Sequence, residues 1–407
     1  MHQPSPPSIE TRASWTIATV ALVLIGTSFG APWLVTVGLK DVAAEVGGAR
    51  SVPSLAISLG WMGAAIGGIL MGRIAERVGV RSTVIFGSTM IALGLAFATL
   101  GPRWQLHVGY GLFVGILGIG AINAPLYIYV TRWFDRRRGS ALALISSGTY
   151  VAGALWPPLF ERAIAYGGWR QAMLWFAGLQ LVVIVPLAAI YLKPAPEAPA
   201  STVATAGPIE GGSVLGWPPN LTFTLLCVAA FLCCVTMSMP QQHLVALCSD
   251  LGIAAASGAL MVSVLLGVGF LCRQIWGVIS DRIGGLTTLL IGSSAQAFAM
   301  TGFLLTQTEA GLFAVSAAFG IAFSGLIPAY ILAGRELFPA SEAPWRIPVL
   351  LLSSGVGMAT GGWLAGVLYD YFGFYTPAFA IGVAFNVANL VILILLVGRQ
   401  TMIPARA

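Results

Sequence analysis

The chain predicts an all-α polytopic membrane protein, with twelve transmembrane helices in two pseudo-symmetric six-helix bundles. Three observations carry this. Of 407 residues, 57% are hydrophobic and 8% charged, against roughly 25% charged in soluble domains. Twelve apolar segments are long enough to cross a hydrocarbon core of about 30 Å. Short motifs in the first half recur in the second at a near-constant offset. Continuous apolar runs exclude a β-barrel, whose strands alternate over about ten residues.

The segments follow in order. The first, 14–36, is longer than a signal-peptide core and has no small-x-small cleavage site, so it is a retained helix, interrupted at Gly30-Ala31-Pro32. Segments 53–72 and 82–101 flank a charged turn. Segment 107–131 begins at His107 and is kinked by Pro125. Segment 140–160 follows the basic stretch Arg132 to Arg138, and 170–193 follows Gly168-Trp169-Arg170. Residues 194–217 are rich in Pro, Gly, Ser and Ala, the composition of a flexible linker. Segments 218–243, 256–280, 286–306, 309–333, 347–369 and 375–398 complete the set. The expected organisation is a cytoplasmic tail (1–13), a bundle (14–193), a cytoplasmic linker (194–217), a second bundle (218–398) and a cytoplasmic tail (399–407).

Loop charge orients the chain. Of twenty basic residues, Lys40, Arg50, Arg103, Arg162 and Arg170 fall on one side, Arg273 falls in the membrane, and the other fourteen fall on the opposite side. The positive-inside rule places those fourteen and both termini in the cytoplasm, as for a multi-pass protein of the cell inner membrane. The net charge of +6 suits loops facing an anionic leaflet and calls for no nucleic acid. Cys227, Cys233, Cys234, Cys248 and Cys272 form no Cys-x-x-Cys and read as small core side chains. No metal cluster, phosphate loop or nucleophile–base pair stands out, so neither an enzyme nor a cofactor is expected.

The halves share two motifs. Gly72, Glu76, Arg77 and Gly79 align with Gly277, Asp281, Arg282 and Gly284, an offset of 205 (277 against 72). Ser146-Ser147-Gly148 aligns with Ser353-Ser354-Gly355, an offset of 207 (353 against 146). Parallel six-helix repeats are a transporter architecture, with the site at their interface near mid-membrane.

Arg273 marks that site. It lies in the apolar run Gly258–Ile279, and the next acidic residue, Asp281, is eight positions on, about 12 Å at helical rise. A guanidinium in the membrane is costly and is retained where it faces water or a negative partner. No acidic side chain falls within a segment interior, so the expected partner is an anionic substrate.

The Gly-x-x-x-(Asp/Glu)-Arg-x-Gly turns, echoed after the second and eighth segments, resemble the signature loop of the major facilitator superfamily. That resemblance implies gating: Glu76, Arg77, Asp281 and Arg282 would close the cytoplasmic side in the outward-open state. A plain charged turn that fixes topology is the other reading. Within that superfamily, Arg132 to Gly148, Gly168-Trp169-Arg170, Pro240-x-x-His243-Leu-Val245 and Asp250-Leu-Gly252 resemble the oxalate/formate antiporters and the monocarboxylate transporters. Arg273 stands where those families place a substrate-binding arginine. The chain departs from them at Gly269, where the animal monocarboxylate transporters have aspartate. It also departs in the eleventh segment, which has no lysine where the oxalate exchanger does.

One cation balances one carboxylate, and a planar guanidinium offers it a two-point fork. The expected substrate is therefore a small monocarboxylate of lactate or pyruvate size, with an aromatic or longer acid left open. Candidate contacts beside Arg273 are Asn123, Tyr127, His243, Tyr330 and Ser354; His243 could instead be an interfacial histidine, and the other four could serve helix packing. Asp250 and His243 are candidates for proton coupling. Proton symport and anion exchange both remain open, as do a receptor-like protein and a drug exporter. The partners expected are the anion, a proton and the bilayer, for a monomer.

Overall fold

The computed structural model describes residues 10–135, 137–194, 213–339 and 341–402. Most of the expected linker, and the outermost parts of both tails, lie outside the described residues. Eleven long apolar helical stretches are present: α1 (Arg12–Val37), α2 (Ser51–Val78), α3 (Val80–Thr99), α4 (Arg103–Thr131), Gly139–Tyr191, α7 (Pro219–Asp250), α8 (Ala255–Ile283), α9 (Gly285–Leu305), α10 (Glu309–Leu337), α11 (Trp345–Phe372) and α12 (Thr376–Met402). The stretch Gly139–Tyr191 is two spans. Its backbone breaks at Gly168, with φ 77° and ψ 165°, a region open essentially to glycine alone. The arms before and after Gly168 are α5 and α6, giving twelve spans. No strand occurs among the described residues, which include one isolated bridge between Val214 and Trp217.

The repeat is visible in packing. Within the first half α2 lies on α4 and α1 on α5; within the second α8 lies on α10 and α7 on α11. Between halves α2 meets α11 and α5 meets α8. Exchanging the halves turns one of these interfaces into the other. The signature turns also match in backbone: Gly79 has φ 86° and ψ 147°, and Gly284 has φ 79° and ψ 164°. Each reverses the chain between antiparallel spans in a conformation that a Cβ would strain, which is why glycine closes both motifs.

Two boundaries differ from the sequence expectation. The seventh span does not stop near His243 but runs through Pro240 to Asp250. Gln241, Gln242 and His243 read as a polar end, yet they are buried at 6%, 3% and 0% exposure: Gln241 lines the central cavity, Gln242 packs on Gly362, and His243 bonds Gly362 and Tyr375. Beyond α1 the chain stays helical over Leu39–Glu45, extending the first span past the expected end at 36. Below, the termini end is the one that carries the signature turns, and the far end is the opposite one.

Candidate functional site

A cavity of about 340 Å³ lies between the halves, walled from both of them. Arg273 of α8 lines it and is half-buried. The lining contains no Asp, Glu or Lys, and among the described residues no ion pair involves Arg273. Its guanidinium carbon sits 5.1 Å above the Tyr150 ring. Tyr150 is positioned in turn by α10: its hydroxyl donates to the Ser324 carbonyl at 3.3 Å and its ring stacks on Phe323 at 5.8 Å.

Gly269 explains part of this geometry. A Cβ there would come within 3.1 and 3.3 Å of Tyr150 ring carbons. The Tyr150 ring thus occupies the space beside Arg273, one helical turn before it, that an acidic side chain would need.

Asn123, Tyr127 and Ser354 also line the cavity. Tyr127 lies beside Ser146 and within the field of Arg273. Asn123 Oδ1 is buried without a hydrogen-bond partner, so an acceptor beside the cavity is left unsatisfied. Ser354 Oγ donates to the Leu350 carbonyl at 3.1 Å, which leaves its lone pairs to the cavity.

Two expected contacts lie elsewhere. Tyr330 faces α12 and α9, not the cavity: its hydroxyl donates to Asn389 Oδ1 at 3.0 Å, and Asn389 donates to Ser293 at 3.0 Å. The bend at Ser324-Gly325, where α10 breaks between Phe323 and Leu326, turns that face away. His243 lies at the far end. Its Nε2 donates to the Gly362 carbonyl at 2.8 Å, and its Nδ1 is 2.9 Å from the Tyr375 hydroxyl, which donates to it. Both ring nitrogens are therefore engaged.

Side chains at the same end tie the two halves together. Arg50, 6% exposed, donates from Nη1 and Nη2 to the two oxygens of Asp250, each at 2.6 Å. It also donates to the Tyr375 hydroxyl at 2.9 Å and lies 3.6 Å from the centre of the Tyr369 ring. Lys40 reaches Asp250 at 3.0 Å. Asp370 accepts from the backbone N–H groups of Arg50 and Ser51 at 2.7 and 2.9 Å, capping α2 from the opposite half. Burial is the largest single influence and opposes the Arg50 charge, but the hydrogen bonds and charges of Asp250 and Tyr375 together outweigh it and raise the guanidinium pKa above its ordinary value. Asp250 is thus a paired carboxylate at a helix end, not a lone loop acid.

The termini end differs. Glu76, Arg77, Asp281 and Arg282 are exposed, and none of the four makes a hydrogen bond or ion pair among the described residues. Glu76 shares a small cleft with Arg132 of its own half. In the second half, Glu336 at the end of α10 accepts from Gly285 N at 2.8 Å, capping α9.

Sequence reasoning did not find Phe29, Trp33 and Trp61, which wall the cavity. Aromatic residues in apolar segments carry no sign of which way they face. Nor did it find the Arg50–Asp250 pair, although both residues were placed in loops on one side and had opposite charge.

Comparison with known proteins places the chain in a family. The chain is 26% identical over 348 residues to monocarboxylate transporter 13 of Bos taurus, spanning 85% of this chain and 79% of the relative. It is 24% identical over 334 residues to an MFS-type transporter of Ophiocordyceps sp., spanning 78% and 71%. A bacterial homologue of the human lysosomal transporter Spinster, solved in an inward-facing and occupied conformation, superposes with a TM-score of 0.69 at 16% identity over 97% of each chain. The profile of the Major Facilitator Superfamily matches residues 12–344, and again 224–405. The chain belongs to the major facilitator superfamily.

Proposed function

We propose that this transporter carries a monocarboxylate anion by alternating access, with Arg273 as the carboxylate anchor. The observation that carries this reading is a single half-buried guanidinium in a cavity between the two halves whose lining has no acidic side chain. Such a charge is balanced by a ligand, and its planar fork suits a carboxylate. The name of the bovine relative supports the same substrate class. Tyr127, Asn123 and Ser354 add polar contacts around the anchor, while His243 and Tyr330 support the helices that frame it.

With the termini in the cytoplasm of an inner-membrane protein, the far end, where the halves are tied, is the outer gate and the molecule faces inward. Residues 14–193 then rock against 218–398 about the site. Opening outward breaks the Arg50–Asp250 pair, and closing inward brings Glu76, Arg77, Asp281 and Arg282 into partnership. A proton taken by Asp250 while it is free of Arg50 would couple uptake to the proton gradient. Anion exchange is the second reading, favoured by the two cations that hold Asp250. Uptake of labelled monocarboxylate into proteoliposomes decides between them. Symport predicts uphill uptake driven by an inward proton gradient, and its loss in Asp250→Asn with counterflow retained. Exchange predicts counterflow that ignores the gradient.

A further inference from the structure

The cavity is large and aromatic for a three-carbon acid. Its volume of about 340 Å³ lies in the range of roughly 300–1,000 Å³ that encloses drug-sized ligands. A three-carbon acid would leave most of it to water. Six aromatic side chains, Phe29, Trp33, Trp61, Tyr127, Tyr150 and Phe323, line it. Two ring pairs are preformed. Tyr150 stacks on Phe323 with an interplanar angle of 9°, and Phe29 tilts against Trp61 at 5.6 Å. Gly153 admits the Trp33 indole, since a Cβ there would collide with Trp33 and Leu266.

We infer that the ligand is an aromatic monocarboxylate whose carboxylate meets Arg273 and whose ring is enclosed by these aromatic side chains. This rests on the monocarboxylate reading above and adds the body of the substrate. A flat ring gains stacking or edge contacts worth about twofold to tenfold in affinity per ring met, beyond what an aliphatic acid obtains by burial. Charge fixes the other end. Arg273 lies over the Tyr150 face, so the guanidinium is at the edge of an aromatic slab and a carboxylate bound to it directs an attached ring along that slab.

A second polar point sharpens the class. Asn123 Oδ1 is buried and unpartnered, and Asn123 precedes Tyr127 by four residues on α4, about 6 Å at helical rise. Both residues line the cavity, so Asn123 adds a polar point to the wall one turn from Tyr127. It suits a donor on the body of the ligand, a ring hydroxyl or an indole N–H.

The test is binding of defined probes to the purified full-length protein, read by ligand-induced thermal stabilisation and by competition in counterflow. The probes are lactate, phenylacetate, 4-hydroxyphenylacetate, indole-3-acetate and the neutral 2-phenylethanol. The inference predicts aryl acids binding at least tenfold tighter than lactate, with 4-hydroxyphenylacetate ahead of phenylacetate. It also predicts that Phe323→Leu and Phe29→Leu, which keep apolar bulk but remove a π face, cut the aryl-to-lactate ratio about fivefold. Asn123→Leu should remove the preference for the hydroxylated ring. Lactate binding as tightly as the aryl acids would overturn the aromatic body and leave the monocarboxylate reading standing. Binding of 2-phenylethanol as tight as phenylacetate would overturn the carboxylate anchor, and the substrate class with it.

Discussion

Asp250→Asn tests the proposed gate at the far end. The substitution keeps size and one acceptor but removes the charge that Arg50 meets at two distances of 2.6 Å. Removing one partner of a fully buried pair costs about 3–5 kcal/mol. Here the cost is smaller. The side chains of Arg50 and Asp250 are 8% and 24% exposed, and Arg50 retains Tyr375 and the Tyr369 ring. About 2 kcal/mol is reasonable for a partly compensated guanidinium. On the proposed alternating-access cycle the pair is made only while the far end is closed, so the loss falls on that state alone. At 1.4 kcal/mol per factor of ten, the population facing the far end should rise about 30-fold. The assay is the labelling rate of Gln241→Cys, a cavity position on α7, in a background without the five native cysteines. A membrane-impermeant maleimide is applied from the face opposite the termini. Labelling should accelerate tenfold or more in Asp250→Asn. Arg50→Gln should do the same, and the double mutant should add little. An unchanged rate in both single mutants would refute the gate.

Three further predictions follow from the packing. Gly269→Asp places a carboxylate one turn before Arg273 and against Tyr150; monocarboxylate binding should weaken at neutral pH and recover as acid protonates the new group, measured by thermal shift across pH 4–7.5. Gly284→Ala forces a Cβ into φ 79°, ψ 164°, where the nearest atoms, those of Glu336, leave ordinary room; the cost is backbone strain of about 1–3 kcal/mol, seen as a lower Tm. Arg346→Ala removes a buried guanidinium lying 4.7, 4.2 and 4.4 Å from the centres of the Phe223, Phe338 and Trp345 rings; about 2 kcal/mol of stability should be lost, with Arg346→Lys recovering less than half in a melting assay.

Much of the fold is legible in the sequence because the bilayer simplifies the code: a span must be apolar and helical, and its length is fixed. Arg273 stood out for the same reason. The signature turns were legible because Gly79 and Gly284 answer a backbone demand that no other residue meets. What faces what was not legible. Pro240, Gln241, Gln242 and His243 read as the end of a span, since polarity marks a water-facing end and a hydrogen-bonded helix interior equally well. Tyr330 and Tyr127 are both tyrosines near a helix-bending proline, yet the break at Ser324-Gly325 turns one away while the other reaches the cavity. Arg50 and Asp250 are 200 residues apart, and local patterning carries no information about such a pairing. Trp33 reaches the cavity wall against Gly153, where a Cβ would collide with it, and such a fit is a property of a pair of helices that neither sequence holds alone.

Arg273 is the centre of the account, and Arg273→Gln measures it directly. Glutamine keeps polarity on a shorter side chain but removes the charge and the planar fork. The purified variant should melt at or above the temperature of the wild type, because an uncompensated guanidinium destabilises the empty protein. It should show no stabilisation by a monocarboxylate at concentrations that raise the wild-type Tm. Stabilisation of Arg273→Gln equal to that of the wild type would contradict the assignment of Arg273 as the anchor, and with it the monocarboxylate substrate.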